Sequence, residues 1–509
     1  MKTGSLVLLL LAALTHPVAG APSDPLGPAA AQEAERELFA ARYDRAADLY
    51  AKLLRDDPAW APGYYGVVRA LIGAYRAHEA YAAAAEGIRN APASAEAQAA
   101  AGLSAYRRGD LPKAEEYFRK ALRTDRGYAY ALSGLASVAC AVSKFKTCQD
   151  LMAQAYHASP ADPQIIAEWA DSLHGAEHIA ALERALAIYD PASREARRLR
   201  VHIAVDKAAG DRKRRRLVSP YQSYSIELVP IGVDLRRPRG VGLRVRLNDT
   251  LTVRLILDTG ASGISISAKA AAKSGLESLS DESTEVHGIG DRKPQESFAY
   301  LAAAVCIGDL RLADFPVEAF KAAKSDEYDG LIGADVFDPF QVGIDFQKMR
   351  LELTPWRDGQ PPADGAADAS DTLPAGYWRV FRFCNTLAVP TSINQGPQQP
   401  FVIDSGAWGN LIDTGIAQES TMVRRDYRSR LGGVQGGVDQ VSRANKVSLV
   451  FAGFRQDSSD VLALSLESLG DQLGAGVAGI LGMPVLRQMK MTIDYRNGAV
   501  SFQRSAFSH

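Results

Sequence analysis

The sequence predicts a multidomain chain in which an all-α helical repeat is followed by an all-β region built as two lobes. Three observations predict it. Residues 30 to about 190 are rich in Ala and poor in β-branched residues, and Pro58, Pro92, Arg126 and Pro160 break that stretch at a constant interval of 34 residues. From about residue 220 the texture turns to short alternating runs such as VGLRVRL and LTVRLILD, set between Gly, Asn and Asp turns. That β texture then occurs twice, with the same landmarks in the same order.

At 509 residues the chain is too long for one core, and a scale of roughly 150 residues per domain suggests about three. The 58 Lys and Arg nearly balance the 59 Asp and Glu. A general nucleic-acid binder or a polybasic membrane protein would need a sustained field that this composition lacks. Residues 1–21 have the three regions of a secretory signal peptide: Met1-Lys2, the apolar run Leu6 to Leu14, and Ala19-Gly20-Ala21. The apolar run is too short to span a bilayer, which predicts a secreted or periplasmic protein with no membrane span. With no cysteine near the cleavage region, a lipoprotein-type anchor is not expected.

The helical elements come next, over 30–194. Gly102, Ala114, Phe118 and Ala121 in the third 34-residue unit, and Ala46 and Tyr50 in the first, place small and aromatic residues where two helices must cross closely. This pattern resembles the tetratricopeptide repeat. Cys148 and Met152 replace the small and aromatic residues in the fourth unit, so irregular packing is expected there, and a fifth, shorter pair ends near Asp190-Pro191. The array reads either as a concave groove for a peptide or protein partner, or as a rigid spacer or cap on the rest of the chain. Cys140 and Cys148 are spaced to bridge two antiparallel helices or to remain buried thiols; Cys306 and Cys384 read as independent buried thiols. His174-Gly175-Ala176-Glu177-His178 matches an H-x-x-E-H zinc pattern, but that chemistry needs a continuous helix and the repeat places Gly175 at a turn. Residues 195–219, with Arg212-Lys213-Arg214-Arg215-Arg216, read as a basic linker or a processing site.

The β elements fall into a first lobe over 220–357, a Pro, Gly, Ala and Asp-rich linker over 358–371, and a second lobe over 372–509. Asp258-Thr259-Gly260 lies in LILDTGAS and Asp404-Ser405-Gly406 in FVIDSGAW. Gly290 follows Asp258 by 32 residues, as Gly436 follows Asp404; Gly333 follows by 75 and Gly482 by 78. Asp345 and Asp494 each come 12 residues after those last glycines. Paired carboxylates about 3 Å apart cannot both ionise and share one proton, which suits them to activate a water and polarise a carbonyl together. A small residue and a glycine after each Asp let two turns approach face to face. Asp345 and Asp494 sit in closing strands without a Gly turn and read as structural. Asp335 has no counterpart, because Pro484 takes the matching place, and reads as a local cap or surface charge.

Over residues 225 to 505 these motifs resemble the pepsin and retropepsin clan of aspartic peptidases, as two retropepsin-like halves in one chain. The resemblance implies a bilobal aspartic-peptidase fold and an aspartic endopeptidase acting on peptide or protein substrates, with catalytic Asp258 and Asp404. It implies that Thr259 and Ser405 lock the two turns across to one another. Gly260, Gly406, Gly333 and Gly482 then shape the loops behind the carboxylates, and Gly288, Ile289 and Gly290 with Gly433, Val434 and Gly436 form flaps over substrate. Catalysis would need one chain only, and no metal or organic cofactor is implied. Pepsin-like enzymes carry Ser or Thr where this chain has Ala261 and Ala407, so a less acidic optimum than that of a gastric enzyme is expected. Trp408, beside the second turn, is an asymmetry that could shape a subsite. The competing expectation is a non-catalytic binding or scaffold protein that combines a peptidase-like fold with helical repeats.

Overall fold

The computed structural model describes residues 29–210, 214–232, 240–286, 295–320, 327–356, 368–426, 431–432, 437–438 and 441–504. The first part is all helix. It runs α1 Ala29–Phe39, α2 Tyr43–Asp56, α3 Pro62–Gly73, α4 Ala77–Asn90, α5 Ala95–Arg107, α6 Leu111–Thr124, α7 Ala129–Ala141, α8 Phe145–Ala158, α9 Pro163–Ala170, α10 Gly175–Ile188 and α11 Arg194–Ala209. Pro58, Pro92, Arg126 and Pro160 each fall in the turn between one helix pair and the next. Side-chain caps mark several starts: Ser94 accepts from Ala97 N–H, and Asp162 accepts from Gln164 and Ile165 N–H. Phe118 is buried against Gly102 of the preceding helix and Gly134 of the following one, the close crossing that small residues allow.

In the fourth pair Cys140 and Cys148 are bonded to one another, with Cα atoms 5.4 Å apart, and Met152 is buried against Ala129, Leu132 and Ile165. The pair therefore keeps its helical hairpin. Cys306 is buried but Cys384 is exposed, against the expectation of two buried thiols. Most of the segment expected as a basic linker from 195 is helix α11, capped by Ser193 and ended at Gly210.

The array, expected either as a concave groove or as a rigid spacer, buries a cluster of its own side chains between its helices. Arg69 of α3 is buried and pairs with Asp162 at the start of α9, its Nη2 donating to Oδ1 at 2.8 Å. The guanidinium also lies over the rings of Phe39 of α1 and Tyr130 of α7, and Tyr65 stacks on Tyr130 with centroids 4.4 Å apart. At the rim, Asp190 N–H donates to Ala40 O at 3.0 Å, so the last pair meets the first.

The remainder is β-rich. In the first lobe the strands Ile264–Ser267, Gly330–Gly333, Leu251–Asp258 and Gly240–Leu247 lie side by side in that order. In the second, Leu411–Asp413, Gly479–Leu481, Gln398–Ile403 and Thr386–Ile393 repeat the arrangement. Alternation drives this: Leu243, Val245 and Leu247 are buried while Arg244 and Arg246 face water. A third sheet joins the lobes through Gln341–Asp345 and Met489–Asp494, antiparallel with Asp345 opposite Lys490. One apolar core runs through both lobes and that sheet.

The array docks on the second lobe. Arg107 of α5 pairs with Asp471, and Gly476 N–H donates to Arg107 O at 2.8 Å. Leu111 and Ala141 share a core with Leu464, Val477 and Ile480. Asp368 accepts from Thr147 N–H at 2.9 Å and Oγ1–H at 2.6 Å. Helix α11 meets the first lobe through Arg197 to Glu285 at 2.7 Å and Arg200 to Glu282 at 2.8 Å. Among the described residues no helix is long and apolar enough to cross a membrane.

Candidate active site

Each candidate carboxylate ends a buried strand. Asp258 closes Leu251–Asp258, where Gly330–Gly333 runs parallel with Gly333 opposite Asp258. Asp404 follows Gln398–Ile403, and its N–H donates to Leu481 O of the parallel Gly479–Leu481 strand at 3.0 Å. A strand between two parallel and antiparallel neighbours has no freedom to slide, because a one-residue slip would turn its whole apolar set outward. The two turns are thus delivered rigidly to one place from separate lobes.

Thr259 and Ser405 tie the turns together. Thr259 N–H donates to Ser405 Oγ at 3.1 Å and Ser405 N–H donates to Thr259 Oγ1 at 3.0 Å. The hydroxyls continue onward, Thr259 to Ile403 O at 2.7 Å and Ser405 to Leu257 O at 2.6 Å. Thr259 and Ser405 are both buried, so each of the four bonds satisfies groups that water does not reach. At about 1 kcal/mol net each, and more if one partner is orphaned, the set holds the turns in register.

Gly260 and Gly406 supply the room. A Cβ on Gly260 would stand 2.8 Å from Asp404 Cγ, and one on Gly406 would stand 2.6 Å from Asp258 Cγ. Each glycine therefore lies directly against the opposite carboxyl. Behind them, a Cβ on Gly333 would come 2.6 Å from Ala261 O and one on Gly482 2.7 Å from Ala407 O, so these two strand ends press on the backs of the turns.

Backbone donors fix the carboxyls. Gly260 N–H donates to Asp258 Oδ1 at 2.8 Å; Gly406 and Ala407 N–H donate to Asp404 Oδ1 at 2.8 and 2.9 Å. Burial raises the Asp258 pKa, offset by its hydrogen bond with Asp404 and by the Gly260 and Ala261 N–H groups. Burial raises Asp404 well above the usual carboxylate range, helped by the Asp258 charge and the bond between them, against the Gly406 and Ala407 N–H groups. One proton is held above the usual range, and it belongs to the pair rather than to either residue.

Asp335 is buried, not a surface charge. Its Oδ1 accepts from Gly263 N–H at 2.8 Å and its Oδ2 from Ser262 O–H at 2.8 Å, Asn385 Nδ2 at 3.2 Å and Arg215 at 3.3 Å. It locks the loop after Asp258 to Asn385 of the second lobe and to Arg215 beyond the helical array. In the second lobe that place is taken from the other segment: Asn410 Oδ1 accepts from Gly482 N–H at 2.9 Å. Sequence reasoning missed Asn385 and Asn410, which belong to no motif, and read Arg215 only as part of a basic run; the signal for Asp335 was its place two residues after Gly333. Counting from each Asp, Trp408 stands opposite Ser262. Ser262 turns in to Asp335, whereas Trp408 is 46 % exposed.

Asp345 Oδ1 accepts from Gln347 and Lys348 N–H, and Asp494 Oδ1 from Asn497 N–H. Both cap the turns of the joining sheet, away from the pair. The expected flap residues Gly288, Ile289, Gly290, Gly433, Val434 and Gly436 lie outside the described residues.

Residues 243–336 match the family model described as Aspartyl protease. The matched segment holds Asp258, Gly260 and Gly333 and stops before the second turn. No curated protein matches the chain. Among solved structures it is similar to "Crystal structure of MamA", with 16 % identity over 30 % of this chain and 93 % of that one at a TM-score of 0.21. A second, "Crystal structure of MamA protein", gives 15 % identity over 31 % and 89 % at 0.20.

Proposed function

We propose that the chain is an aspartic endopeptidase that forms its active site within one molecule, from two retropepsin-like halves. The observation that carries this reading is the meeting of Asp258 and Asp404, 146 residues apart in sequence, across a symmetric set of hydrogen bonds. A pair holding one proton has an ionised member and a neutral one. The ionised member takes a proton from a water placed between them, while the neutral member donates its proton toward the carbonyl oxygen of the scissile peptide. The product of attack is a neutral geminal diol, with no covalent bond to the enzyme. Its collapse returns a proton to the leaving amine and resets the pair.

The helical array serves this reading as a rigid cap on the second lobe. The Arg69–Asp162 pair buried between its helices supports the cap over the alternative of a peptide-binding groove. Export through residues 1–21 completes the proposal; N-terminal sequencing of the mature protein tests it, and retention of Met1 would refute it.

The activity is tested by a mixed peptide library cleaved by the native chain and by Asp258→Asn and Asp404→Asn. Either substitution is expected to abolish cleavage with the fold intact. Cleavage that survives both, or that ignores a statine-type diol mimic, would refute the carboxylate mechanism, and a native chain that cleaves no peptide would support a non-catalytic binding protein.

A further inference from the structure

We propose that His178 of α10 with His202 and Asp206 of α11 forms a binding site for a divalent transition-metal cation of the zinc class. Their ligand atoms lie within 4.8 Å of one another. His202 and Asp206 are four residues apart on one helix and so project from the same face.

The geometry at His178 points to a cation. Its Nδ1 lies 2.7 Å from the carbonyl oxygen of Ala170, which can only accept, so the ring proton is on Nδ1. That leaves Nε2 as a bare lone pair, 3.1 Å from Asp206 Oδ2. Two lone pairs face each other unless a proton or a cation lies between them. A zinc-class ion about 2.0–2.2 Å from each atom spans that separation. An imidazole whose second nitrogen is pinned to a backbone carbonyl is also how metal-bound histidines are oriented.

The surrounding charges suit one monodentate carboxylate. Arg214 pairs with Asp206 Oδ1 and leaves Oδ2 for the cation. The Asp171 carboxyl interacts electrostatically with both imidazoles and adds a second negative charge, against which Arg198 adds a positive one. His202 is exposed and turns its ring across that of His178 at a centroid distance of 5.7 Å, so it can swing onto a bound ion. Two imidazoles and a carboxylate favour zinc, nickel or cobalt over magnesium or calcium, which prefer all-oxygen sites. His174 is outside this set: it precedes α10 at its N-cap, so the H-x-x-E-H pattern does not form on one helix. A bound ion would staple α10 to α11, the helix that meets the first lobe through Arg197 and Arg200.

The test uses the full chain, stripped with a chelator and titrated with zinc and with cobalt as a visible-absorption probe. About one equivalent is expected to bind with a rise in Tm, and acid should weaken binding because a metal needs its nitrogen ligands deprotonated. His202→Ala removes only an exposed ring, so it keeps the fold and should weaken binding about tenfold or more. His178→Ala should do the same, and His174→Ala should change nothing. The proposal is overturned if zinc does not bind, if His202→Ala and His178→Ala bind as the native chain does, or if His174→Ala abolishes binding.

Discussion

Asp258 and Asp404 are costly residues to bury, and the cost has a sign in pH. A carboxyl whose folded pKa is raised holds its proton more tightly folded than unfolded. Its favourable contribution is present below about pH 4 and is lost as pH rises through the folded pKa. Asp404→Asn keeps an oxygen for the Gly406 and Ala407 N–H groups and removes the buried charge. It should abolish cleavage yet raise Tm by a few degrees at neutral pH, with no gain below about pH 4; a scanning calorimeter at both pH values checks it. The same shifts move the singly protonated window of the pair upward. Turnover should peak above about pH 3, clear of the region of the lower dyad pKa in pepsin, and a pH–rate profile peaking below that would contradict the carboxyl assignments. Gly406→Ala tests the packing, since its new Cβ would enter the space of Asp258 Cγ. A displacement of that size should lower kcat by about 100-fold or more while the helical array melts unchanged.

Among the elements, the helices hold together through pairs that cross many residues. Arg69 and Asp162 are 93 residues apart and buried at the centre of the array. Removing one partner leaves an uncompensated charge, so Arg69→Ala should cost about 3–5 kcal/mol. Thermal melting followed at the helical far-ultraviolet band reads the loss, and the double replacement Arg69→Met with Asp162→Asn, which removes both charges but keeps an oxygen for the α9 cap, should recover much of it. The strands answer to another constraint. Gly330–Gly333 and Gly479–Leu481 each thread between two strands of their lobe, which places Gly333 and Gly482 behind the turns.

For the whole molecule, the joint between array and second lobe decides whether the parts unfold as one. Arg107 and Asp471 are both nearly buried at that joint, beside the apolar contacts of Leu111 with Val477 and Ile480. Arg107→Glu sets two like charges against each other there. It should split a single calorimetric transition into two and expose the joint to limited proteolysis, with kcat within about threefold because the dyad lies wholly between the lobes. A single unchanged transition would show that the parts are not energetically coupled through this pair.

The helix pairs were legible because a 34-residue period and a capping residue are properties of contiguous chain. Both Asp turns were legible for the same reason: a motif and its spacing survive without knowledge of the fold. Helix α11 was not, since a run of arginines reads as linker until tertiary contacts with Glu282 and Glu285 give it a face to use. The burial of Asp335, the exposure of Cys384, the cluster buried between the array's helices and the meeting of His178 with Asp206 were decided only in three dimensions. Each depends on residues brought close from distant positions, and the chain's local pattern carries no term for which distant partner will satisfy a buried charge or lone pair.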